Sequence, residues 1–389
     1  MNTVRQLRIL QVVPSLATGG AERFAVQLMT ELVGRGLEVV GVSLYGRQGT
    51  PVEDLAHSNG LNVQYLGKKR GFDPRMLFRL AKVVRDFGPD LIHTHMHALR
   101  YALPAILRWR VPAVHTIHSI AEREAHLIGR WVPRLLFPKI VSPVAIAAEV
   151  QSSIRRVYGT GSVLIPNAIP VAKYRQPEVG RRDWRKSHGF EENDILFVSV
   201  ARFDPVKNHS LLLRAFAGGP ARYPRTHLVL AGDGTLRDQL QRMTKSMGLQ
   251  GRVHFLGVTT DIPGLLGASD VFVFSSDYEG SPLSVMEGMS AGLPVIGTAV
   301  GGVPEMVPGS VGILVAPGDC HGLAEAMDVL RADGNRRANM AAAAAKHADH
   351  FDMARNARSY EALYRALTHN ANRLSSQLSR TDAVQFRCS

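Results

Sequence analysis

The residues best suited to chemistry lie in 275–292, which reads Ser-Ser-Asp-Tyr-Glu-Gly-Ser-Pro-Leu-Ser-Val-Met-Glu-Gly-Met-Ser-Ala-Gly. Short apolar, β-rich runs at 271–274 and 293–296 flank it, so the spacing predicts a strand, loop, helix, strand unit. Ser281 suits the N-cap of that helix, Pro282 its first turn and Gly292 a C′ stop. Glu279 then stands at the helix mouth and Glu287 about two turns inside. Free N–H groups from Gly280 to Leu283 would face the loop and make an anion site. Two carboxylates beside such a site, neither with an obvious ion-pair partner, suit a ligand carrying both hydroxyls and phosphates, such as a sugar nucleotide. The same spacing also fits an ordinary helix start with a solvated Glu287.

Two cations form a second constellation. Arg202 follows an apolar strand at 195–200, and Lys207 opens the next helix five residues later. Both can converge on one phosphate from the loop, although an isolated pair of this kind is also compatible with two surface cations. Near the start, the strand at 7–13 runs into Pro-Ser-Leu-Ala-Thr-Gly-Gly, a glycine turn ending at Gly19 and Gly20 that lets a ligand approach backbone. It is not GxGxxG, so dinucleotide binding is only a weak reading. His93, His95, His97, His115 and His118 gather at two strand ends. Alternate residues share a strand face, so the H-x-H-x-H run could hold a metal, but no Asp or Glu joins it to complete a ligand set.

Around these motifs the chain alternates strand and helix throughout, which predicts parallel sheets covered on both faces. Strands are expected at 39–44, 63–66, 91–94, 113–117, 144–147, 163–165, 228–231, 253–257 and 313–315. A helix is expected from Asp73-Pro74 to about Phe87, and an amphipathic one over 351–367. Residues 176–193 read as a linker with one short helix.

The central stretch resembles the EX7E segment of retaining GT-B glycosyltransferases of family four: Glu279, seven residues, Glu287, then Gly-Met-Ser-Ala-Gly-Leu-Pro-Val-Ile. The likeness continues through Ala-Val-Gly-Gly-Val-Pro-Glu at 299–305. Arg202 and Lys207 resemble the family's R-x4-K diphosphate clamp, and Gly19-Gly20-Ala21-Glu22 its opening loop. His118 resembles a strand-end histidine that faces the transferred sugar. Residues 165–170 resemble the crossing into the second domain, with Ala168 and Pro170 where relatives usually carry Gly and Asp.

Covering about residues 7–367, the resemblance implies an α/β protein of GT-B architecture, with two Rossmann-like doubly wound parallel-sheet domains facing across a cleft. The acceptor-side domain would span 1–175 and the donor nucleotide-sugar domain 192–350. A helix at 351–368 would return to the first domain, ahead of a disordered tail at 370–389. The implied catalytic groups are His118, Glu279, Arg202 and Lys207. The implied donor-binding groups are Gly19, Gly20, Asp233, Leu256, Val258, Gly280, Ser281, Pro282, Leu283 and Glu287, with Glu287 on the ribose and Glu279 on the transferred sugar. No metal or other cofactor is implied. The donor would be a UDP- or GDP-sugar and the acceptor a saccharide or lipid-linked sugar in envelope or exopolysaccharide assembly. A GT-B epimerase and a catalytically silent nucleotide-sugar-binding protein are the alternatives.

Composition narrows the setting. At 389 residues the chain is too long for one ordinary core. There is no run of 18 apolar residues and no leader pattern, and Cys320 and Cys388 cannot form a disulfide framework or a zinc site by themselves, so a cytoplasmic protein is expected. The net charge is +13, and residues 1–189 hold 27 Lys+Arg against 13 Asp+Glu, so the whole excess lies there. A basic half suits an anionic substrate or membrane face; no zinc-finger or RNA-binding signature accompanies it, which argues against nucleic acid. Arginines, Trp131 and Phe137 interleave between Glu122 and Lys139, so this segment is a candidate for lying on an anionic membrane at its inner face, or is a packed helix with solvated arginines.

Overall fold

A computed structural model describes residues 6–124, 136–137, 140–175 and 178–385, and for 123–124, 178–179 and 370–385 it describes the backbone alone. The chain forms two compact units, one made of Met1–Pro166 with Met353–Ser389 and the other of Asn167–Asp352.

The first unit is built on a seven-stranded sheet. Its strands are β1 (Arg8–Val13), β2 (Glu38–Ser43), β3 (Asn62–Tyr65), β4 (Leu91–His95), β5 (Ala113–Ile117), β6 (Val141–Ala145) and β7 (Val163–Leu164). They run in the order β3-β2-β1-β4-β5-β6-β7, every pairing parallel. Such strands are covered on both faces, which is why β1 and β4 read as continuous apolar or buried runs rather than alternating ones. Strand β6 begins three residues before the expected 144 and carries Pro143, which lacks a ladder donor; β7 pairs only with Val144 and Ala145, so no outer partner needs that N–H.

The second unit has six strands: β8 (Ile195–Val200), β9 (Thr226–Ala231), β10 (Val253–Gly257), β11 (Val271–Val273), β12 (Val295–Thr298) and β13 (Gly312–Val315). Their order is β10-β9-β8-β11-β12-β13, again all parallel. In each sheet the strand order reverses once, between β1 and β4 and between β8 and β11. Loops leaving the carboxyl ends of those strand pairs diverge and open a crevice, the place where open α/β sheets take ligands. Each unit is a Rossmann-like, doubly wound parallel sheet.

Two stretches differ from the sequence expectation. Residues 176–193 contain a helix, Glu178–Ser187, which is anchored rather than linker-like. Arg181 and Arg185 both pair with Asp270, at 2.6 and 2.8 Å, and Arg185 also donates to the carbonyls of Glu191, Glu192, Asp194 and Ala268. The last helix is Met353–Gln385, so its backbone continues over most of the stretch expected to be a tail, and 386–389 lie outside the described residues. Most of 122–139, the candidate for membrane contact or a packed helix, also lies outside them. Among the described residues no helix is long and apolar enough to cross a membrane.

Candidate active site

In the second unit the crevice at β8 and β11 is closed by hydrogen bonds between the loops that leave those strands. Asp277 N donates to Val206 O at 2.8 Å, Ser275 Oγ to the carbonyls of Lys207 and Asn208, and Asn208 Nδ2 to Asp277 Oδ1 at 2.8 Å. Asn208 is left-handed at φ 46° and its side chain caps the helix His209–Gly218. This lacing sets Lys207 Nζ 2.7 Å from Glu279 Oε1, which also accepts from Ser276 Oγ at 2.6 Å. Glu279, which the sequence left without an ion-pair partner, is therefore paired. Arg202 instead pairs with Asp204 at 3.0 Å and is well exposed.

The helix that follows is Leu283–Ser290, with Pro282 and not Ser281 as its N-cap. Proline has no side-chain acceptor, so no side chain caps this end and the first-turn N–H groups point into the loop beside Glu279. The mouth is braced from outside: Asn167 Nδ2 donates to Ser281 O at 2.9 Å, Gly302 N to Gly280 O at 3.2 Å, and Thr298 Oγ1 to Ser276 O at 2.5 Å. Gly292 ends the helix with φ 75°, as expected.

The helix starts one residue late, and Glu287 stands little more than one turn inside it, closer to the mouth than the two turns expected. It is completely buried, and the Tyr174 hydroxyl donates to its Oε1 at 2.8 Å. A solvated surface glutamate is excluded. Burial of a carboxylate requires donors, and Tyr174 comes from a short 3-10 turn, Val171–Tyr174, just past the inter-unit crossing.

Beside this site the loops after β8 and β9 touch backbone to backbone. A Cβ on Gly232 would stand 2.0 Å from Ala201 O, so only glycine fits there. Asp233, a predicted donor-binding residue, is engaged in the turn: its Oδ1 accepts from Gly234 N at 2.7 Å and its Oδ2 from Arg237 at 3.2 Å. Leu256 is half-buried and Val258 exposed, at the end of β10.

In the first unit the predicted histidines form hydrogen-bonded chains rather than a metal set. Gln11 on β1 donates its amide N–H to Ala25 O at 3.1 Å and to His95 Nε2 at 2.9 Å. The neighbouring carbonyl fixes which end of the amide is nitrogen, so His95 Nε2 is an acceptor and the His95 proton is on Nδ1. That N–H donates to His118 Nε2 at 2.9 Å, which leaves the neutral His118 ring with its proton on Nδ1. His118 is thereby held as a donor and not as a base. Burial holds His93 and His95 well below the ordinary histidine pKa, and lowers His115 to about 4 and His118 to about 3. A second chain runs from Tyr364 to His93 (2.7 Å), Thr116 (2.8 Å) and Tyr360 (3.0 Å), tying the last helix to β4 and β5. Among the described residues no group of three or more His, Cys, Asp or Glu side chains is placed to hold a metal ion.

Gly19, at the N-cap of the helix Gly20–Gly34, contributes no side chain to the cap, and a Cβ there would lie 2.3 Å from Glu22 Oε2. The glycine pair lies at the end of the loop that leaves the carboxyl end of β1.

Residues 18–173 match the family model Glycosyltransferase Family 4, and residues 180–347 match Glycosyl transferases group 1. The lipopolysaccharide core biosynthesis glycosyltransferase LpsD of Rhizobium meliloti (strain 1021) is 31% identical over 330 residues, covering 83% of this chain and 88% of that one. The chain belongs to the family-four glycosyltransferases. A UDP-Gal:alpha-D-GlcNAc-diphosphoundecaprenol alpha-1,3-galactosyltransferase of Escherichia coli is 29% identical over 59% of this glycosyltransferase and 63% of its own length. In fold, the Anabaena Alr3699/HepE crystal structure in complex with UDP-glucose superposes with a TM-score of 0.82 at 22% identity, over 93% of this chain and 100% of that one.

Within this glycosyltransferase the structure brings Lys207, Glu279, Gly280, Ser281, Pro282 and Leu283 to one loop cluster and sets Glu287 behind it. Sequence reasoning missed Tyr174, Asn167, Ser276 and Gln11, whose partners are between 3 and 114 residues away in sequence. Asn208 alone carried a local signal, an Asn just ahead of an apolar helix.

Proposed function

We propose that the chain transfers a sugar from a UDP-sugar to a saccharide or lipid-linked acceptor in envelope or exopolysaccharide assembly, with retention at the anomeric carbon and without a divalent metal. The observation that carries the reading is the Lys207–Glu279 pair beside an uncapped helix start. A cation and open N–H groups at one mouth supply the field that a departing diphosphate requires. Arg202, Lys207 and the mouth are assigned to the diphosphate, Glu279 to the hydroxyls of the transferred sugar, and Glu287 to the ribose. His118, held with its proton on Nδ1, is assigned as a donor to the sugar. Gly19 and Gly20 are assigned to close approach of the phosphates, and Leu256 and Val258 to the base.

The UDP-galactose donor named for the E. coli relative and the UDP-glucose bound by the Anabaena protein favour uridine over guanosine. The lipid-diphosphate acceptor of that relative, and the lipopolysaccharide role of the R. meliloti one, favour an acceptor at the membrane, with the enzyme peripheral on its inner face. Relatives named as transferases favour transfer over epimerisation.

The test is transfer from radiolabelled UDP-sugars to undecaprenyl-diphosphate-linked sugar in excess EDTA, with the new linkage assigned by NMR. An α-linked product from an α-linked donor supports the reading. An inverted linkage or an absolute need for added metal refutes it.

A further inference from the structure

The side chains assigned to the nucleobase, Leu256 and Val258, are apolar. They can hold the flat face of a base, but the edge that tells one base from another is a row of donors and acceptors, and reading it takes a polar group. Such a group stands at the same strand end. Gly257, between the two, has φ 72°, and a Cβ there would lie 3.4 Å from Arg237 Nη1 and 4.0 Å from Nη2. The half-buried guanidinium thus packs against the backbone where β10 ends, and Val258, the next residue, is 59% exposed.

Arg237 is held in place. It is the first residue of the helix Arg237–Ser246, and the turn before it is fixed to both neighbouring loops. Gly232 N donates to Gly257 O at 2.8 Å, Phe203 N to Asp233 O at 2.9 Å, and Leu236 N to Phe203 O at 3.0 Å. From that turn the Asp233 carboxylate accepts from Arg237 Nη1 at 3.2 Å. Among the described residues Nε and Nη2 form no hydrogen bond. Anchoring one nitrogen therefore leaves the Nε–Nη2 edge of the fork, two parallel N–H donors with no acceptor beside them, for a ligand. Strand β10 lies two strands from β8, about 10 Å across the sheet. A nucleotide with its diphosphate at Lys207 would carry its base to about that distance.

We propose that Arg237 reads the nucleobase of the donor, giving the N–H groups of Nε and Nη2 to an exocyclic carbonyl oxygen, so that uracil is taken and cytosine refused. Uracil presents O4 as an acceptor with two lone pairs. Cytosine presents an amino group at the same place, whose N–H groups would face those of the guanidinium. Donor is then set against donor and the fork stays unpaired, which is how a site built for a hydrogen bond rejects a close analogue. Val258 supplies the apolar surface for the face of the base, and Asp233 acts as the positioning residue that aims the fork. The inference rests on the reading of a nucleotide-sugar donor whose base lies at the end of β10, and it adds the group that selects the base.

The affinities of UDP and CDP, which differ only along that edge of the base, are measured by titration calorimetry on the full chain for wild type, Arg237→Ala and Arg237→Lys. Wild type is expected to bind UDP at least about tenfold more tightly than CDP. Arg237→Ala should weaken UDP by about tenfold and leave CDP within about twofold, so that the preference disappears. Arg237→Lys keeps the charge without the fork and should lose most of the same preference. Unfolding midpoints without ligand should match wild type in both variants, because the side chain lies in a partly exposed i,i+4 pair with Asp233. Equal weakening of UDP and CDP in Arg237→Ala would mean that the guanidinium serves the diphosphate they share, and overturns the proposal. So does a wild type that binds the two alike, or a UDP preference that survives in full in either variant. Those outcomes remove this inference alone, whereas a wild type that binds neither nucleotide removes it together with the donor-site reading.

Discussion

Lys207 Nζ donates to Glu279 Oε1 at 2.7 Å, across the point where the strand order of the second sheet reverses. The two residues are thus one unit: a diphosphate that draws Lys207 away would leave the Glu279 carboxylate for the sugar hydroxyls.

Lys207→Ala and Glu279→Ala are each expected to lower kcat/KM by about 10²-fold or more, the range for removing a charge-stabilising group. The double variant should lose much less than the product of the two, because paired residues are not additive. Fully multiplicative losses would show that the ion pair has no part in turnover.

Tyr174→Phe leaves the buried Glu287 without its hydroxyl donor. A cost of about 1–3 kcal/mol is expected in the unfolding of the second unit, since a buried acceptor loses a partner. Urea midpoints check this, and an unchanged midpoint would mean that Glu287 is satisfied without Tyr174.

Acid should weaken the first unit. Burial depresses His93, His95 and His115, so their protons bind the unfolded chain more tightly than the folded one. The stability that follows from their neutrality is complete above the unfolded value near 6.5 and is lost as pH falls toward about 4, the His115 value. The loss is about 1.4 kcal/mol per pH unit for each histidine that titrates only when unfolded. Denaturation at pH 7.5 and 4.5 checks the sign; greater stability at the lower pH would contradict it.

Gln11→Met removes the amide that makes His95 Nε2 an acceptor. The His118 ring is then expected to populate both tautomers, visible in its ¹⁵N shifts, with reduced transfer and an unchanged fold by circular dichroism. A His118 spectrum identical to wild type would show that Gln11 does not set it.

Much of the fold was legible in sequence because parallel strands buried on both faces are apolar runs, and their ends are marked by Gly, Pro and Asn. The expected strands recur within a few residues, including β8 at 195–200 and β10 at 253–257. Glu279, Lys207 and the helix mouth were legible as local patterns. The ion pair between them was not, because it depends on loop lacing between Val206 and Asp277. Nor was the linkerless packing of Arg181 and Arg185 on Asp270, which lies more than 80 residues away. Tyr360 and Tyr364 read as the apolar face of a helix; their hydroxyls find Thr116 and His93 only once that helix packs on the first sheet.

The central claim, a nucleotide-sugar site built on Lys207 and Glu279, is tested most directly by thermal unfolding of the purified protein with UDP, UDP-sugars and GDP in EDTA. A ligand at a hundred times its Kd adds about 2.7 kcal/mol to the folded state. Stabilisation by the uridine series, abolished in Lys207→Ala, is the predicted result. No stabilisation by any nucleotide, or equal stabilisation in Lys207→Ala, would contradict it.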